Sequence, residues 1–399
     1  MSEKDIDKKE INNRREFFKL LEQNIMDTYE REKEYQYLIK DLNMVKSYLV
    51  ESHDSIKRLD IEGYDVNVEE TNDSTFFIVK FRKNGFENIK RLYVDTMDER
   101  FWTIHTVAKS GSVDPFINKL AKKTLKKDHV WFPVQYLERF KKMGESRSIT
   151  LKYSEILGDE EEELISDLSM KLWGGASSDV YSLINQLPEL KSLLEKTDDT
   201  KWIDILNVCE SLSHSSPLSG IGVKIFADEH ENIEERNFIL EEVNYNGKFT
   251  ARGGNSISEH LYLLRKTKEQ YSDVIQFIED EISIQFKKSS PLGITGHPLT
   301  IILTRPIQDL GKFTGEVISC KEPFRIWGLT RDRSEDYVGI TGVDLHNGDK
   351  INLEVYEDWI RLYLPKGGCG NTIARFYSLI QHNYDSNAVL EGVEHGQLF

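Results

Sequence analysis

Between residues 18 and 49 the apolar positions Phe18, Leu21 and Ile25, then Leu38, Leu42, Val45 and Leu49, recur at steps of three and four, the spacing that lines one face of a helix. Neither Gly nor Pro occurs before residue 61, so residues 1–60 are predicted to form a helical arm. From residue 61 the period shortens to two. Runs at 64–68, 76–81, 89–94 and 101–107 are separated by Asn, Asp, Ser and Gly turns and read as strands of an antiparallel sheet.

The same strand, glycine turn and helix then recur. Trp102 to Asp114 aligns without a gap on Trp359 to Asn371, with Lys109 on Lys366 and Gly111 on Gly368. Looser versions are Met170 to Asp179, around Gly174-Gly175, and Phe249 to Ser256, around Gly253-Gly254. Helices are expected to follow each joint, at 113–125, 179–187, 256–286 and after Asn371. Residues 148–157 are compatible with a strand, residues 163–173 with strand or helix, and 189–195 with a further helix. Strands are expected at 222–226, 237–243, 248–252, 299–304, 315–320, 324–329, 338–343, 350–356 and 359–364. Asn246-Gly247 and Asn347-Gly348 mark the hairpin turns.

These elements predict an α+β protein. Several mainly antiparallel sheets are each followed by a packing helix, and a helical N-terminal arm precedes them. The expected division is a helical arm at 1–60, a basic sheet-plus-helix module at 61–147, and a mostly helical module at 148–215. A strand hairpin with a long helix follows at 216–290, then a C-terminal antiparallel sheet with a terminal helix at 291–399.

Charge sharpens one of these modules. The chain of 399 residues carries a net charge of −16, yet residues 80–147 hold 16 Lys and Arg against 8 Asp and Glu. An acidic whole argues against a protein coated for nucleic acid, and a basic island argues for a local anion contact. Three scattered cysteines give neither a disulfide framework nor a zinc motif. With no apolar leader and no spanning apolar run, the expectation is a cytoplasmic protein without membrane contact.

Glycines at a strand-to-helix joint let a ligand approach backbone amides at the positive end of the helix. Lys109 with Gly111, Arg252 with Gly254, and Lys366 with Gly368 are therefore candidate phosphate contacts, although none fits a known phosphate-loop signature. The same glycines also serve as plain turns. Lys119, Lys122, Lys123, Lys126 and Lys127 are the candidate contacts to a nucleic-acid backbone, with Trp131, Phe132 and Tyr136 nearby for base stacking.

Asp344, His346, Asp349 and Glu354, and the run Asp228-Glu229-His230-Glu231, resemble ligand sets but sit in polar turns, so no metal, cofactor or catalytic residue is expected. The function expected is a non-catalytic binding or assembly subunit. It would contact nucleic acid or a phosphate-bearing ligand through the basic 80–147 module, and a protein partner through the N-terminal arm. The alternatives are an enzyme acting on a phosphorylated or nucleotide substrate at a Gly-Gly joint, and a purely protein-binding scaffold.

Overall fold

The computed structural model describes residues 11–35, 44–157, 166–186, 211–227, 237–287 and 293–392. It is an α+β protein with mainly antiparallel sheets. Two compact units divide the chain, one taking in 1–130, 142–145 and 222–270, the other 131–141, 146–221 and 271–399. No helix among the described residues is long and apolar enough to cross a membrane.

The first unit begins with α1 (Arg14–Tyr35). Its start follows from Asn13, whose side-chain oxygen accepts from the Glu16 amide at 2.9 Å, while the Glu16 carboxylate accepts from the Asn12 amide. Phe17, Leu20, Leu21 and Ile25 form its buried stripe. At about 1.5–3 kcal/mol for each large apolar side chain removed from water, this stripe binds the helix firmly to its own sheet.

The helical reading fails after the arm. Val45–Ser52 is strand β1, buried at every position. A strand covered on both faces needs no polar alternation, so Val45 and Leu49 fit a helical step by coincidence.

β1 is followed by a four-strand meander, β2 (Tyr64–Glu70), β3 (Phe76–Lys83), β4 (Lys90–Asp95) and β5 (Phe101–Thr106), then α2 (Ser110–Lys123) and β6 (Lys127–His129). Farther along the chain, β9 (Leu218–Phe226) contributes its second half. β10 (Phe238–Asn244) and β11 (Lys248–Gly254) form a hairpin that leads into α5 (Ile257–Phe277). The strand order is β2-β3-β4-β5-β1-β11-β10-β9, with β6 also on β1. One face, carrying Tyr48, Val50, Trp102 and Ile104, packs on Val113, Phe116, Ile117 and Leu120 of α2. The other, carrying Val45, Tyr93, Val107, Ile239 and Ala251, packs on α1 and Ile257.

The second unit contains α3 (Val134–Phe140) and the hairpin of β7 (Glu145–Ser154) and β8 (Asp167–Trp173), which leads into α4 (Ser177–Asn185). Segment 148–215, expected to be mostly helical, thus carries strands in its described part. The helix expected at 189–195 and the run Asp228 to Glu231 lie outside the described residues. After a short hairpin, β12 (Gln285–Lys287) and β13 (Gly293–Thr295), come β14 (Leu299–Ile302) and α6 (Leu310–Val317). The expected strand at 315–320 is overturned here. The Asp309 side chain caps the Lys312 amide at 2.9 Å and starts a helix through Val317.

A second meander follows, β15 (Ile326–Arg333), β16 (Val338–Asp344), β17 (Lys350–Val355) and β18 (Trp359–Tyr363), then α7 (Asn371–Asn383) and β19 (Val389–Glu391). The sheet order is β15-β16-β17-β18-β14-β19. Apart from α6, which has no α-helical counterpart after β1, the connectivity repeats that of the first unit: an opening strand, a meander, a helix, and a closing strand paired to the opening one.

Candidate functional site

All four glycine joints run from a strand into a helix, and they differ in what surrounds them. At the first, Lys109 is the extended residue before α2, and Gly111 lies within the helix, not in a turn, with open space where a Cβ would be. At the third, Gly254 has φ +139°, and an added Cβ would fall 2.4 Å from the Phe238 carbonyl oxygen. At the fourth, the positive φ belongs to Gly367, while Gly368 is packed on Leu364.

The cations and amides at these joints already meet the protein's own groups. Arg252 pairs with Glu242 at 2.6 Å. Lys366 donates to the Glu279 carbonyl oxygen and to Asp280 at 3.1 Å. Ahead of α7, the Gly370 amide donates to Glu279 Oε1 at 2.7 Å and the Cys369 amide to Asp349 Oδ2 at 3.1 Å. Internal carboxylates thus take the place expected for an outside anion there. Asp344 is engaged by Arg375 and Thr372.

The lysine cluster is split. Lys119 donates to the Glu62 carbonyl oxygen at 2.9 Å, Lys123 and Lys126 are exposed, Lys122 is half-buried, and Lys127 is fully buried with its ammonium 5.8 Å from the Trp102 ring centre. Burial pulls the Lys127 amine below its ordinary pKa. Trp131, Phe132 and Tyr136 are core residues of the second unit, exposed by 2% at most, so no base can stack on them.

The structure brings other residues together. A groove of about 730 Å³ in the first unit is lined by Arg14, Arg15, Phe18, Lys19 and Glu22 of α1, by Ile257, Ser258 and Leu261 of α5, and by Asn13 and Asp73, so two carboxylates share it with three cations. It lies at the start of α5, just beyond Gly254. Arg14 is held by Asp73 and Asp95 at 2.6 and 2.8 Å. Arg15 and Lys19, both exposed, have no hydrogen bond or ion pair among the described residues. An apolar floor with two uncommitted cations and a helix start suits an amphipathic anion.

Beneath it runs an unbroken polar chain. Glu241 Oε2 lies 2.7 Å from His260 Nδ1, His260 Nε2 lies 2.8 Å from Ser47 Oγ, and Ser47 Oγ lies 2.7 Å from His105 Nδ1. The folding pattern places each member. Ser47 and His105 are direct cross-strand partners on β1 and β5, Glu241 is on β10, and His260 is in the first turn of α5. Ser47, Glu241 and His260 have no exposure and His105 has 2%. Burial, reinforced by His260 and then Lys268 and Arg14, holds His105 neutral by pushing its pKa well below the ordinary value. Burial raises the Glu241 carboxyl, against the pull of His260. Phe18 links the two features, since it lines the groove and its ring sits edge-on to His105 at 5.7 Å.

Sequence reasoning missed both. Ser47 and His105 are 58 residues apart and Ser47 and His260 are 213 apart, so only the sheet order joins them. The Arg14-Arg15 pair stands in the sequence inside the helical arm, with no local signal that sets it apart from other charged helix positions.

A family model described as "MJECL33-like protein" matches residues 6–399. A Methanocaldococcus jannaschii protein named "Uncharacterized protein MJECL33" is 33% identical over 404 aligned positions, covering 97% of this chain and 96% of the relative. No solved structure matches.

Proposed function

The chain belongs to the MJECL33-like protein family, and we propose that it is a binding or assembly subunit that holds a phosphate-bearing ligand in the groove between α1 and the start of α5. The observation that carries this reading is the pair Arg15 and Lys19, which face the groove with no partner among the described residues. Phosphate oxygens would take these cations and the first turn of α5, and an apolar part of the ligand would rest on Phe18 and Leu261. The third joint then serves as a rigid corner, because Gly254 allows the turn that sets α5 against α1.

The basic 80–147 module keeps a secondary role in this reading. Exposed Lys126, just past the C-terminal end of α2, is the member of the lysine cluster available to a nucleic-acid backbone. Anisotropy titrations of a labelled nucleoside triphosphate and a labelled single-stranded oligonucleotide test both. The groove reading predicts saturable nucleotide binding that Arg15→Glu with Lys19→Glu removes. Undiminished binding by that variant, or none by the wild type at low salt, rejects it.

A further inference from the structure

We infer that Ser47, at the centre of the buried chain Glu241–His260–Ser47–His105, is the nucleophile of a carboxylic-ester hydrolase reached past Phe18. The order of contacts is the reason. A carboxylate on Nδ1 of His260 fixes the proton there, which leaves Nε2 as a base aimed at a hydroxyl 2.8 Å away. With Ser47 donating to His260, Ser47 Oγ accepts from Nδ1–H of His105 at 2.7 Å. His105 therefore presents a neutral donor beside the oxygen that attacks.

Among the described residues Glu241 Oε1 is buried without a hydrogen-bond partner, as Thr150 Oγ1 and Ser378 Oγ are elsewhere, so such an orphan does not mark the site and the order of contacts alone does. Two rings of α1 lie against His105, Phe17 at 5.8 Å and Phe18 edge-on at 5.7 Å. Phe17 is fully buried in the core, whereas Phe18 is half-buried and forms part of the groove wall, so the groove is the side from which a substrate would reach His105 and Ser47.

The chemistry balances with water as the only co-reactant. Ser47 Oγ bonds to the ester carbonyl carbon as its proton passes to His260 Nε2, and Glu241 stabilises the resulting imidazolium. The developing oxyanion accepts a hydrogen bond from the His105 Nδ1–H, which keeps its proton. The carbon–oxygen bond to the leaving alcohol breaks, and that alcohol takes the proton from His260. Water, deprotonated by His260, then releases the acid and restores Ser47. An ester with a phosphate or other anionic group fits best, a preference that rests on the groove reading above; the nucleophile does not.

The test is covalent labelling of the full chain with a fluorophosphonate, followed by peptide mass spectrometry. We expect one adduct, on Ser47, absent from Ser47→Ala and formed faster in Phe18→Ala, with His260→Gln slowing it by about 100-fold or more. Glu241→Gln should slow it less, and hydrolysis of p-nitrophenyl acetate should follow the same order. No Ser47 adduct in wild type and in a Phe18→Ala protein of native circular dichroism overturns the proposal, as does a rate indifferent to His260→Gln. Should Phe18→Ala not fold, Phe18→Leu takes its place and the same outcomes decide. Because the probe carries no phosphate, a Ser47 adduct in a protein that binds no anion would remove the groove reading alone. Anion binding without the adduct would remove the nucleophile alone.

Discussion

Glu241 and His260, 19 residues apart in the chain, meet at 2.7 Å with neither side chain exposed, which makes them a buried hydrogen-bonded pair inside a sheet-and-helix core. Replacing one member leaves a buried polar partner unsatisfied, at a cost of about 1–3 kcal/mol. Glu241→Leu and His260→Leu should each lower the urea midpoint strongly, and the double variant should cost much less than the two combined. Additive losses would show that the pair does not act as a unit.

Acid should destabilise the protein before its carboxylates titrate. His105 is held neutral by burial, and burial also lowers His382 to about 4, against backbone contacts that favour its charged form. A histidine whose folded pKa lies below its unfolded value takes up protons on unfolding. Stability is therefore complete above the ordinary pKa near 6.5 and falls as pH drops from there toward 4, by on the order of 3 kcal/mol for His382. Burial pushes the carboxyls of Asp344 and Asp385 up, but Arg375 together with His346 and Thr372 on the one, and His214 together with the Thr304 and Asn387 amides on the other, leave both lowered, so they act only at more acid pH. Urea midpoints between pH 7.5 and 4.5 check this, and His382→Leu should flatten the slope.

Two glycines that align as equivalents in the joint motif should respond in opposite directions. Gly111→Ala sits in a helix with free space and should stabilise by about 0.5–1 kcal/mol. Gly254→Ala would force a Cβ to within 2.4 Å of the Phe238 carbonyl oxygen at φ +139° and should cost more than about 2 kcal/mol. Thermal midpoints of the two variants suffice; a tolerated Gly254→Ala would contradict the packed corner.

Lys127 and Lys126 are adjacent in sequence and opposite in environment. Lys127→Met removes a buried ammonium whose pKa burial already depresses, and should be neutral or stabilising, while Lys127→Glu should unfold the first unit. Lys126→Glu should stay within about 0.5 kcal/mol of wild type. Equal effects at the two positions would contradict the burial assigned to Lys127.

Much of the fold was legible because hairpin turns and period-two runs are local. β3, β4 and β16 to β18 follow directly from such runs. Where burial hides the period, as in β1, or where a cap outweighs β-branched residues, as Asp309 does ahead of Val317, the sequence misleads. The gapless match of Trp102 with Trp359 locates two strands of the same topological rank, yet Trp102 is buried while Trp359 is partly exposed and stacks on Tyr356 at 3.9 Å. The candidate site was illegible for a different reason. Its members lie on β1, β5, β10, α1 and α5, and only the strand order β5-β1-β11-β10 brings the strand-borne ones together.

The most direct measurement is a calorimetric titration of a nucleoside triphosphate into three proteins: wild type, Arg15→Glu with Lys19→Glu, and Lys122→Glu with Lys123→Glu and Lys126→Glu. Binding that weakens as salt rises, is lost in the α1 variant and survives in the α2 variant is the predicted result. Binding that survives in the α1 variant and disappears in the α2 variant would move the ligand to the other basic surface and contradict the groove.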